Sequence, residues 1–99
     1  MNKCGTFLRA SREKQNLSQK EVSVHLGYNT SQFISNWERG LSEPPVPVIK
    51  TLAKLYKIDP EALFEVILEA HLEGVEKTLR QKFGAENVKI KDNGSKKKG

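Results

Sequence analysis

Residues 17–40 read LSQKEVSVHLGYNTSQFISNWERG, and the fold turns on where this stretch begins and ends its helices. Ser18 followed three residues later by Glu21 is a capping box, in which each side chain satisfies a backbone N–H that the first helical turn leaves without a partner. Leu17 before the cap and Val22 four residues beyond it have the spacing of a hydrophobic staple. A helix over about 19–26 is therefore predicted, with Val22 and Leu26 on one face and Gly27 as its end. Tyr28 and Asn29 make a tight connection. A further helix over about 30–39, capped by Asn29 or Thr30, puts Phe33, Ile34 and Trp37 on one face as core and stops at Gly40.

Working outward, residues 5–16 form a preceding helix with a narrow apolar face at Phe7 and Leu8, and Asn16 is a suitable left-handed stop. After Gly40, LSEPPVP (41–47) is a loop stiffened by prolines. A fourth helix over about 46–57 carries Ile49, Leu52, Ala53 and Tyr56 at i, i+3, i+4, i+7. Asp59 caps a fifth, with Pro60 at its first position, where a missing N–H costs nothing. This last helix is long, about 60–83, because Gly74 alone costs only about 1 kcal/mol. Its first part is densely apolar. Its second carries only the stripe Leu68, Leu72, Val75, Leu79, Phe83, which resembles a coiled-coil seam. Such a stripe either covers the domain's own core or meets a second copy of the chain, and the homodimer is the favoured reading. In the tail, Val88 and Ile90 alternate with Lys89 and Lys91 as in a short exposed strand, and the terminal run Lys96–Lys98 reads as mobile and attractive to phosphate. The chain thus divides into 1–68, a helical domain, 69–83, a dimerisation extension, and 84–99, a basic flexible tail.

The composition agrees with one small all-α domain. The chain has 99 residues, 36% apolar and 29% charged, with a net charge of +5. Residues 1–59 carry 9 basic and 5 acidic side chains, net +4; 60–83 are net −2 and 84–99 net +3. A basic front end favours polyanions. No apolar run reaches the roughly 18 residues a bilayer requires, and no apolar stretch follows the first residues as in a secretory signal, so a cytoplasmic protein is expected. Cys4 has no cysteine to pair with and sits near a mobile end, where it is open to reaction. His25 and His71 lack metal-ligand spacing and read as surface residues, and Glu65, Glu69 and Glu73 as solvated like charges. No glycine-rich phosphate loop and no nucleophile–base pair occur. Neither catalysis nor a metal or cofactor is expected.

Three stretches together resemble the Cro/repressor-type, or XRE-type, helix-turn-helix domain: LRASREKQNLSQKEVSVHLG (8–27), SQFISNWERG (31–40) and VIKTLAKLYKIDPEALF (48–64). The resemblance implies a compact five-helix, phage-repressor-like bundle, here with an extended C-terminal helix. It also implies that 1–68 is a helix-turn-helix DNA-binding domain whose third helix enters the major groove of DNA. By position, Ser31, Gln32 and Asn36 match base-reading sites, Gln19 matches a phosphate-holding side chain, and Arg12 and Glu38 match a structural ion pair. The residues agree with that role. Between Tyr28 and Trp37 there is no charge, and the non-core positions Thr30, Ser31, Gln32, Ser35 and Asn36 are amides and hydroxyls suited to base edges.

Three departures bear on this reading. Twelve residues separate Gly27 from Gly40, one more than the common family spacing, so the turn should be longer. The loop after helix three carries Glu43 and prolines where the family often has basic residues. Phosphate contact therefore falls to Gln19, Lys20, Asn29 and Arg39, with Arg9, Lys14 and Lys50 as further candidates. Ser11 stands where an aliphatic residue is usual. The resulting expectation is a sequence-specific double-stranded DNA-binding transcriptional regulator, a homodimeric repressor reading an inverted repeat. The alternatives are a DNA-binding antitoxin with a toxin-binding C-terminal half, and a protein-interaction module that has lost DNA binding.

Overall fold

The computed structural model describes residues 2–92, with side chains through Ala85. Among these residues all regular secondary structure is helical: α1 (Lys3–Lys14), α2 (Gln19–Leu26), α3 (Gln32–Glu38), a 3-10 turn at Val46–Val48, α4 (Ile49–Tyr56) and α5 (Pro60–Asp92). None of the described helices is long and apolar enough to cross a membrane.

The helix ends follow local chemistry. Asn2 caps α1 through its Oδ1, which accepts from the Gly5 N–H at 2.6 Å. Asn16 takes a left-handed φ of 59° directly after α1. At the start of α2 the Glu21 N–H donates to Ser18 Oγ (3.0 Å) and the Ser18 N–H to Glu21 Oε1 (2.7 Å). That second bond, to the charged form, holds the Glu21 carboxyl below its ordinary range. Asp59 Oδ2 accepts from the Ala62 N–H (2.9 Å) at the head of α5. Two helices start later than the periodicity predicts. α3 begins at Gln32, because the turn occupies 27–31. α4 begins at Ile49, because the prolines hold the preceding residues in a 3-10 turn.

The core is built from Cys4, Leu8, Val22, Ile34, Trp37, Ile49, Leu52, Ala53, Tyr56, Leu63 and Ile67, so each of the five helices contributes to it. Cys4 is a correction to the sequence reading. It is buried among these side chains, and burial, then the Glu43 carboxylate, push its thiol up to about 11, which suppresses the reactive thiolate. Phe33 is a second correction. Ile34 and Trp37 fill the inward face of α3, and Phe33, one residue earlier, is left on the flank, 47% exposed.

α5 is a third correction. It passes Gly84, where its end was predicted, and takes in Val88 and Ile90, where the alternation suggested a strand. One glycine costs too little to stop a helix, and a lone strand has no ladder to join. At 33 residues α5 is about 50 Å long, and the molecule measures 58 × 26 × 23 Å. From His71 to Ala85 every side chain is exposed, so the second half of the helix projects from the bundle. Lys96–Lys98 lie outside the described residues.

The first turn of α1 lies tightly against the last turn of α3. A Cβ on Gly5 would collide with the Glu38 carbonyl oxygen and lie 2.9 Å from its carbon, and a Cβ on Gly40 would lie 2.7 Å from Asn2 Cβ. Gly5→Ala is therefore expected to destabilise the fold by about 1–3 kcal/mol despite the better helix propensity of alanine, because backbone cannot rotate away. Gly74→Ala, with nothing within 4 Å, is expected to stabilise by about 1 kcal/mol. Urea denaturation midpoints at constant slope check both.

Candidate nucleic-acid interface

α2, the turn 27–31 and α3 form the unit that carries the candidate residues. Gly27 leaves α2 with φ 83°. Tyr28 then turns inward: its N–H donates to the Ser23 carbonyl (2.9 Å), and its ring packs against Phe33 and Trp37. Thr30 Oγ1 accepts from the Gln32 N–H at 3.2 Å, and Ser31 occupies the cap position without a side-chain bond.

The position of α3 is set by a buried clasp. Arg12 donates through Nε to Glu38 Oε2 (2.7 Å) and through a terminal nitrogen to Oε1 (3.0 Å); its other terminal nitrogen donates to the Leu17 carbonyl (2.8 Å). Gln19 Nε2 also donates to Glu38 Oε1, at 3.0 Å. The two charged side chains are 11% and 4% exposed. Its hydrogen bonds to Glu38 raise the Arg12 guanidinium above its ordinary value, and burial, then the same carboxylate, raises the Tyr56 phenol. One cluster thus joins α1, the α1–α2 turn, the head of α2 and the end of α3. Arg12 is committed to this contact, and Gln19 has one amide N–H committed to it.

The outward face of α3 carries a line of hydrogen bonds. Gln32 Nε2 donates to Asn36 Oδ1 (3.0 Å), and an Arg39 terminal nitrogen donates to the same oxygen (3.0 Å). Gln32, Arg39, Thr30 and Asn29 are exposed, and Ser31, Ser35 and Asn36 half-buried. The five amide and hydroxyl side chains singled out in the sequence therefore lie on or beside one short helix, and none is sealed in the core. Among the described residues, the Asn36 amide N–H groups and the Gln32 carbonyl oxygen have no protein partner within the line, which leaves donors and an acceptor for a base edge. Arg39, grouped with the phosphate contacts by its charge, belongs to this same line. Lys20 is exposed on the first turn of α2, whereas Arg9 is engaged by Glu13 at 3.1 Å. Glu43, the acidic residue of the loop, is half-buried and contacts His71 Nδ1 on α5 at 3.0 Å, so it lies against α5.

Two features escaped sequence reasoning. The Gly5–Glu38 approach leaves no periodic signal, since one glycine in a helix has many explanations. The Tyr28–Phe33 packing depends on the length of the turn, which the spacing showed only as an extra residue.

The sequence profile of the helix-turn-helix family matches residues 8–63. Two Mycobacterium tuberculosis proteins, one from strain CDC 1551 / Oshkosh and one from strain H37Rv, are named as uncharacterized HTH-type transcriptional regulators. Each is 30% identical to this chain over 60 residues, covering 61% of this chain and 42% of the relative. The chain thus spans less than half the length of the curated relatives it matches. No solved structure matches significantly.

Glu38→Gln is expected to destabilise the protein by about 3 kcal/mol, because it leaves the nearly buried Arg12 charge without its counter-charge. Arg12→Ala should cost a similar amount, and the double variant Arg12→Met with Glu38→Leu less than the sum of the single losses. Thermal and urea unfolding of the three variants check this.

Proposed function

The chain belongs to the XRE-type helix-turn-helix family, and from that membership we propose that it is a sequence-specific, double-stranded DNA-binding transcriptional regulator, a homodimeric repressor acting in the cytoplasm at the nucleoid. The observation that carries this reading is the line of Gln32, Asn36 and the capping Arg39 along the outward face of α3, its two amides lying in a stretch without charge from Tyr28 to Trp37. An ordinary solvated helix carries Lys and Glu at such positions. Amides held in register by each other are suited instead to paired donor–acceptor contact with adenine N6 and N7, and an arginine beside them to guanine O6 and N7 or to phosphate. Thr30, Ser31 and Ser35 extend the face. Gln19, through its second amide N–H, Lys20 and Asn29 supply backbone contact around it. The role of each is that of a binding group, and the reading assigns no catalysis.

Dimerisation is supported by the projecting half of α5. Leu72, Val75, Leu79 and Phe83, spaced 3, 4 and 4 apart, are exposed, with Leu68 half-buried at the base of the stripe. Two such stripes packed together remove them from water and relate two α3 helices by a two-fold axis. An inverted repeat with half-site centres about 34 Å apart follows. Repression follows where that operator overlaps a promoter. The same stripe supports a second reading, a DNA-binding antitoxin whose C-terminal half holds a toxin.

Electrophoretic shift of the full chain on duplexes selected from a random pool is expected to show affinity falling steeply with salt. Gln32→Ala should relax preference at one position of each half-site by about 1–3 kcal/mol. Lys20→Ala should weaken all duplexes alike and reduce the salt slope by about 1. Weak, salt-independent affinity for every duplex would favour a protein-interaction module instead.

Leu72→Glu with Leu79→Glu is expected to convert a sedimenting dimer to a monomer without loss of helicity, since both residues are exposed in the single chain. A wild-type chain that sediments as a monomer would remove the dimer from the proposal.

A further inference from the structure

The base-reading proposal leaves Phe33 unused, although it borders the same face. Phe33 lies next to Gln32 and three residues before Asn36, so its ring lies beside the amide line. It is 47% exposed. Singly exposed apolar side chains are common and need no explanation in themselves. This ring, however, is held. Its centroid lies 4.7 Å from that of Tyr28 at a tilt of 36°, and Tyr28 meets Trp37 edge-on at 6.0 Å. Trp37 is buried in the core. Three aromatic rings thus run from the interior to the surface and end on Phe33, which reduces the side-chain freedom the ring would lose on binding.

We infer that Phe33 is a specificity-determining contact that packs against the C5-methyl group of a pyrimidine in the major groove. The inference rests on the DNA-binding reading above and assigns the apolar part of it. Amide and hydroxyl side chains distinguish donors from acceptors, but the methyl group of thymine is neither. It is read by apolar contact, and Phe33 is the exposed apolar side chain on α3. The ring and the amides are complementary: Gln32 or Asn36 reads a purine while Phe33 covers the methyl of a pyrimidine in the same half-site. The same C5-methyl is carried by thymine and by 5-methylcytosine, so either base offers the contact.

The test uses the full chain and the duplex selected from a random pool, with each thymine of the half-site replaced in turn by deoxyuridine, which removes only the methyl. One position is expected to lose affinity about fourfold per half-site, the factor corresponding to one methyl group returned to water. Phe33→Ala should bind the thymine duplex more weakly and no longer distinguish it from the deoxyuridine duplex. The wild-type comparison stands alone if that variant fails to fold. Placing cytosine or 5-methylcytosine at the same position separates the sources: a 5-methylcytosine duplex bound about fourfold better than the cytosine one shows that either base serves, and equal binding of the two, with the deoxyuridine loss in place, assigns the contact to thymine. Selective enrichment followed by equal affinity for thymine and deoxyuridine at every position overturns the methyl contact and leaves the DNA reading intact. Failure of the pool to enrich any sequence overturns the DNA reading itself.

Discussion

The Arg12–Glu38 pair is the contact on which the geometry of the candidate interface depends. It joins the last turn of the first helix to the last residue of the third, and takes in the Leu17 carbonyl and the Gln19 amide on the way. A short helix such as α3, seven residues long, has little stability of its own and takes its direction from what it packs against. Its inward face supplies only Ile34 and Trp37 to the core. The clasp fixes its end, the Gly5 contact brings the α1 backbone against that end, and Gly40 just beyond it lies against the side chain of the Asn2 cap. A charged pair with this little exposure contributes less to net stability than its Coulomb attraction suggests, because both groups have left water. What it contributes here is direction, since bidentate Arg–carboxylate geometry tolerates little rotation.

That arrangement divides the polar residues into two populations. Those turned towards the clasp are committed: Arg12 wholly, and Gln19 through one N–H. Those on the far side of α3 bond to one another, with Asn36 Oδ1 accepting from both neighbours. The first population holds the helix and the second is presented by it. α5 divides similarly. Its first turns bury Leu63 and Ile67 in the core, and its projecting half leaves its apolar residues in water. A single fold thus carries two surfaces with unmet contacts, one polar and one apolar.

Much of this was legible because it rests on local rules. The capping box at Ser18, the Asp59 cap, the stop at Gly27 and the left-handed Asn16 each involve residues within a few positions of one another. The spacing of Leu52, Ala53 and Tyr56 marks a buried face without reference to its partner. The misreadings share a different origin. Phe33 has the spacing of a core residue, but Ile34 and Trp37 already fill the space available on that side. Cys4 lies close to the start of the chain, and is buried because α1 begins at Lys3 and is pressed against the other helices. The end of α5 was misplaced because neither Gly84 nor the alternation at Val88 and Ile90 is a strong signal without a neighbouring strand.

The sequence by itself determined an all-helical domain, its family and the caps at Ser18 and Asp59, since these depend on hydrogen bonds and hydrophobic spacing over one or two helical turns; the third helix, read as capped by Asn29 or Thr30, has Ser31 at its cap position because the turn is longer. It also placed Gln32 and Asn36 on the solvent side of the third helix, because the position of Ile34 and Trp37 leaves them no other. Only the tertiary structure decided how closely α1 approaches α3 at Gly5, that Gln19 turns towards Glu38, and that Phe33 ends an aromatic column at the surface. Those outcomes depend on the volume left between helices distant in sequence, and no local pattern records that volume.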